Sequence, residues 1–117
     1  MLVEARRLLD RPDARDVWLR GAVWLTRMAV ERAVRTAWGR KYPGSRVRGM
    51  RNQLLALAKV VDPQTRRAAT VLWNDLSKAG HHHDHELTPT VAEIEDWHRA
   101  AVVLVDQLLQ PRPAARL

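Results

Sequence analysis

Cysteine is absent from this 117-residue chain. That excludes a disulfide scaffold and thiolate metal centres, and it fits a reducing compartment. Phenylalanine is absent too and tyrosine occurs once, so the five tryptophans carry nearly all of the aromatic volume. Lysine is scarce, three residues against seventeen arginines. Long apolar runs are missing. The best stretch, Gly21 to Val30, is interrupted by Thr26 and Arg27 and falls well short of the roughly 20 residues needed to span a bilayer. The first ten residues carry Glu4, Arg6 and Arg7 and no apolar core, so no secretory signal is expected. These absences point to a soluble, cytoplasmic protein without a membrane partner. The length accommodates one domain, over residues 1–110, followed by a frayed tail over 111–117.

Acidic residues are outnumbered, and the formal net charge is +7. An arginine-rich, alanine-rich bias is also what a G+C-rich genome alone would produce, so the distribution carries more information than the total. From Arg27 to Arg51 eight basic residues stand against Glu31 alone. From Asp84 to Asp106 six acids stand against Arg99. One basic and one acidic surface on a single small molecule suit polyanion binding through the first. They also suit pairing of two copies, or docking of a protein partner, through both. The plainer reading of the basic segment is a solvated arginine-rich surface. As nucleic-acid ligands the segment offers Arg27, Arg35, Arg40, Lys41, Arg46, Arg48 and Arg51.

The few prolines and glycines act as punctuation. A short helix over Leu2 to Leu9 ends before Arg11-Pro12. Asp13 caps a long second helix from about Ala14 to Arg40, which stops before Tyr42-Pro43-Gly44. Its middle, Val17 to Val30, is apolar nearly all round, the pattern of a helix buried on most sides. Ser45 caps a third helix over Arg46 to Val60, with Val47, Met50, Leu54, Leu57 and Val61 at seam spacing. Asp62-Pro63 is a cap followed by proline at the first helical position. The fourth helix, bearing Ala69, Leu72, Trp73 and Leu76, then ends near Gly80. Thr90 and Glu93 form a capping box for a fifth helix whose inner stripe is Ile94, Trp97, Ala101, Leu104, Val105 and Leu108. The expected fold is all-α, an up-and-down bundle of four main helices plus a short N-terminal one. Trp18, Trp24, Trp73 and Trp97 fall at core positions; Trp38, beside Arg35, Arg40 and Lys41, is placed to stack on a base but reads better as a partly buried amphipathic side chain.

The concentrated chemistry is His81, His82, His83 and His85, between the fourth and fifth helices. Three readings compete. His81, His83 and His85, with Asp84 and Glu86 beside them, suit zinc or nickel. The imidazoles also suit acid–base catalysis without a metal or other cofactor. In RNA cleavage the 2′-hydroxyl is the nucleophile, Lys78 the cation for the phosphate charge and Asn74, one turn earlier, an orienting group. The bland reading has the histidines capping the end of the fourth helix, where an imidazolium is favoured by typically 0.3–1 kcal/mol. No short recognition helix follows a tight turn, which argues against helix-turn-helix DNA binding.

The run Trp73-Asn-Asp-Leu-Ser-Lys-Ala-Gly-His-His-His-Asp-His-Glu-Leu87, followed by Thr88-Pro89-Thr90 and a final Trp-bearing helix, resembles the HEPN-like (higher eukaryotes and prokaryotes nucleotide-binding) domains of bacterial toxin and defence proteins. Their hallmark is Arg, four to six residues, then His. The resemblance implies a helical bundle that dimerises to bring two motifs together. It further implies either metal-independent ribonuclease activity or a non-catalytic role binding RNA, nucleotide, an antitoxin or another protein partner. Carried over, the Arg position falls on Lys78 and the His position on His83 or His85. Lysine there keeps the charge but loses the planar fork that grips phosphate oxygens. Ala79 stands where a polar residue often follows the motif's arginine. The alternative from a different class is a homodimeric interaction module whose His loop binds metal or senses pH.

Overall fold

The computed structural model describes residues 1–11, 16–44, 48–80 and 89–110. Its regular elements are α1 (Leu2–Leu9), α2 (Asp16–Lys41), α3 (Met50–Ala56) with a 3₁₀ turn over Leu57–Lys59, α4 (Pro63–Gly80) and α5 (Val91–Leu109). The fold is all-α, with no strand among the described residues, and no helix there is long and apolar enough to cross a membrane.

Helix α2 is the organising element because one of its faces repeats small and branched apolar residues. Leu19, Ala22, Val23, Thr26, Val30, Ala33, Val34 and Ala37 are all buried, and α1, α4 and α5 pack against them. Small residues let neighbours approach closely: a Cβ added at Gly21 would stand 3.0 Å from Leu8 Cδ1 of α1. The buried hydroxyl on this face is satisfied within the helix, Thr26 Oγ1 donating to the Ala22 carbonyl at 2.7 Å. Expectation and structure part on the other face. Val17 and Trp24 are 60% and 57% exposed, so the apolar middle of α2 is not buried all round. Of the four tryptophans expected in the core, Trp24 is exposed, while Trp18 is partly buried with the Arg11 guanidinium 4.1 Å above its ring. Trp24 shares a helical stripe with Arg20 and Arg27, and more than half of its surface faces solvent. Trp38, Trp73 and Trp97 pack against the core as partly buried side chains, and Trp38 lies 4.5 Å from Tyr42, ring to ring.

Helix boundaries follow the local chemistry. Helix α3 starts at Met50 rather than Arg46, since Gly49 takes φ +79°, a left-handed conformation incompatible with helix continuation. Residues 45–47 lie outside the described residues. Helix α4 opens on the expected cap: Asp62 accepts from the Thr65 hydroxyl at 2.6 Å and from the Thr65 backbone N–H at 3.1 Å. Both halves of the Thr90–Glu93 capping box form at the start of α5. Helix α1 is pinned to α5 at two points. His98 Nε2–H donates to the Leu2 carbonyl at 2.8 Å, and Arg6 donates to Glu95 at 3.2 Å.

Candidate nucleic-acid interface

The outer face of α2 presents Arg20, Trp24, Arg27, Glu31 and Arg35 at intervals of three and four residues, hence along one stripe. Two concavities flank it. The first, about 280 Å³, has an apolar floor from Leu19, Val23, Leu76 and Ile94, with Arg20, Trp24 and Arg27 at its side. The second, about 610 Å³ and more open, lies between α2, α3 and α4 and is lined by Arg27, Glu31, Arg35, Met50, Arg51 and Trp73. Arg27 belongs to both.

Glu31 is the hub of the second concavity. Its Oε2 accepts from Trp73 Nε1 at 2.9 Å and from Arg27 Nε at 3.2 Å, and its Oε1 lies 3.6 Å from Arg35 Nη2. The carboxylate is only 16% exposed; its hydrogen bond holds the Arg27 guanidinium in place, while the exposed Arg35 stays within ion-pair distance. Arg27 also reaches the C-terminal end of α4, its Nη1 lying 3.5 Å from the position a Cβ would take on Gly80. A cation there meets the negative end of the helix dipole. One carboxylate thus pairs with two arginines while Arg51 adds a third cation to the rim, and exposed Arg48 lies just before α3.

The structure sorts the seven basic residues expected to bind nucleic acid. Arg27, Arg35 and Arg51 converge on the second concavity. Arg40 and Lys41 have other partners: Arg40 Nη1 donates to the Leu109 carbonyl at 2.7 Å and Lys41 Nζ to the Lys59 carbonyl at 3.0 Å. Both close helix C-termini, where carbonyls lack intrahelical donors. Arg46 lies outside the described residues.

Of the expected Lys/His site, Lys78 and Asn74 are exposed one turn apart on α4, on the side opposite Leu72 and Leu76. His81, His82, His83 and His85, to which both the catalytic and the zinc or nickel expectations attach, lie outside the described residues. The residues flanking that segment, Gly80 and Pro89, line the first concavity. Among the described residues no group of three or more His, Asp or Glu is placed to hold a metal ion.

Two residues escaped sequence reasoning. His98 is buried on the inner stripe of α5, four residues after Ile94 and three before Ala101, and its position in that stripe was the available signal. Arg20 stands one turn before Trp24, yet it precedes the run of basic residues and so does not stand out with it. Comparison with protein-family models, curated proteins and solved structures finds no match to this chain.

Proposed function

We propose that this protein is an RNA-binding helical bundle of HEPN-like type, and that its basic concavity between α2, α3 and α4 takes the RNA backbone. The observation that carries this reading is the convergence of Arg27, Arg35 and Arg51 on one surface, with Glu31 as its sole lining carboxylate among the described residues. Guanidinium forks pair with phosphate oxygens in bidentate geometry. Arg27 is pre-oriented by its hydrogen bond to Glu31, which Trp73 in turn holds, and this lowers the ordering cost on binding.

The bundle we propose is up-and-down, with a homodimer as its working form. The pairing of Trp73 with Glu31 and the approach of Arg27 to Gly80 are consistent with α4 running against α2. Exposed Glu93, Asp96 and Asp106 on α5 supply an acidic surface that complements the basic one in a second copy. The same complementarity favours the second reading, a module that docks a protein partner such as an antitoxin.

Catalysis is the sharper form of the proposal. His83, with His81 or His85, is the general acid and base, Lys78 stabilises the phosphate and Asn74 orients. The exposed Lys78–Asn74 pair, one turn apart, supports the placement of those two groups.

The test is incubation of purified protein with total RNA in excess EDTA, alongside His83→Ala and Lys78→Ala. Cleavage by wild type alone, leaving 2′,3′-cyclic phosphate ends, assigns the ribonuclease. RNA binding without cleavage assigns the binding module. Absence of both, in a folded protein, overturns the RNA reading and leaves the protein-docking one.

A further inference from the structure

Trp24 is the largest apolar side chain on the outer face of α2, yet it is 57% exposed while Trp18, Trp38, Trp73 and Trp97 are all partly buried. It flanks the smaller concavity, which has an apolar floor (Leu19, Val23, Leu76, Ile94) and two guanidinium groups, Arg20 and Arg27, at its side. This concavity joins the larger basic one through Arg27, so an apolar slot and a cationic track meet along a single helix face. From Arg20 to Arg35 that face extends about 22 Å at 1.5 Å per residue.

We propose that Trp24 and the adjoining slot form a nucleobase subsite, which takes one unstacked base against the indole while its flanking phosphates sit on Arg20 and Arg27. The proposal rests on the RNA-binding reading and extends it to a part of the surface outside the larger basic concavity. A slot of about 280 Å³ lies near the lower end of ligand pockets, roughly 300–1,000 Å³, and so suits one planar heterocycle rather than a larger body. Aromatic faces interleaved with cations are the arrangement by which single strands are held, stacking being tolerant of base identity. A duplex keeps its bases stacked on one another and presents no free face to an indole, so the subsite selects single-stranded RNA over duplex. An exposed tryptophan beside arginines is also how a protein partner is anchored. Charge complementarity favours the strand, because every ionisable side chain lining the slot is cationic among the described residues.

The test measures fluorescence anisotropy of a labelled single-stranded RNA of about 12 nucleotides, longer than the groove so that its length does not limit binding, and of the same sequence as a duplex. Wild type is compared with Trp24→Ala, Trp24→Leu, Trp24→Phe and Arg35→Glu. Stacking is worth about 1–3 kcal/mol per base, so Trp24→Ala and Trp24→Leu should each weaken single-strand binding by roughly 5- to 150-fold. Trp24→Phe should retain affinity within about threefold, and duplex binding should be insensitive to all three. Leucine keeps an apolar side chain without an aromatic face, so it separates stacking from any structural role of the indole, and circular dichroism verifies the fold. Single-strand binding unchanged in Trp24→Leu, with Arg35→Glu still damaging, overturns the subsite and leaves the basic surface standing. Indifference to Arg35→Glu as well overturns the reading on which the subsite rests.

Discussion

At the scale of single residues, the side chains with the most influence are those that bridge elements through one polar contact. His98 is 6% exposed, and its Nε2–H is a buried polar link between α5 and the Leu2 carbonyl in the first turn of α1. Removing it leaves a small void and loses a buried hydrogen bond, a loss of about 1–3 kcal/mol. His98→Ala should therefore lower stability by roughly 2 kcal/mol, read from urea unfolding. Amide hydrogen exchange should show α1 losing protection before α4 does, because the lost bond holds the first turn of α1 in place. Little in the sequence marked this histidine as different in kind from the four clustered ones. Its apolar neighbours at three and four residues were the only distinguishing sign, and burial is what gives it a role.

At the scale of elements, helix ends were the most legible feature. Asp62 before Pro63, and Thr90 with Glu93, are side-chain caps, and a cap is a local interaction that needs no tertiary partner. The Thr65 hydroxyl and backbone N–H hold the Asp62 carboxyl below its ordinary value of 3.8. A depressed folded-state value means the cap contributes fully above about pH 4 and is lost as pH falls through the lowered value. Asp62→Asn should accordingly show a smaller decline in stability between pH 4 and pH 2 than wild type, seen in urea midpoints across that range. Gly39 gives the opposite kind of prediction. It lies exposed near the end of α2, and a Cβ added there would meet nothing within 4 Å. Gly39→Ala should raise stability by about 0.5–1 kcal/mol, measured as a higher urea midpoint with unchanged slope. The third helix was legible only in part: its apolar spacing pointed to a longer element, and the backbone turn at Gly49 shortened it.

At the scale of the whole molecule, the property to measure is how binding responds to salt. A surface that neutralises Z phosphates of a single strand loses affinity with a logarithmic slope of about −0.7Z. If Arg27, Arg35 and Arg51 each hold a phosphate, the slope should be about −2, and about −3 with Arg20 of the base slot as a fourth, titrated by anisotropy from roughly 50 to 300 mM salt. Arg51→Glu should make it shallower by nearly one. Arg40→Glu should leave the slope nearly unchanged, since that guanidinium caps the Leu109 carbonyl, and should reduce thermal stability instead. The contrast between these two arginines separates a binding surface from a general positive charge.

Composition, helix periodicity and capping chemistry together determined that the chain is helical, where most of its helices end, and that α2 is central. These follow from interactions within a few residues of one another. Which cations converge was decided by tertiary structure, because Arg27 and Arg51 are distant in sequence and meet only when α3 folds back beside α2 and α4. The same holds for Arg40 and Lys41. Each was equivalent to its basic neighbours in the sequence until a carbonyl from another element came within hydrogen-bond reach. The exposure of Trp24 is likewise a tertiary result: periodicity assigns a residue to a helix face, but only the packing of the other helices decides which faces are covered.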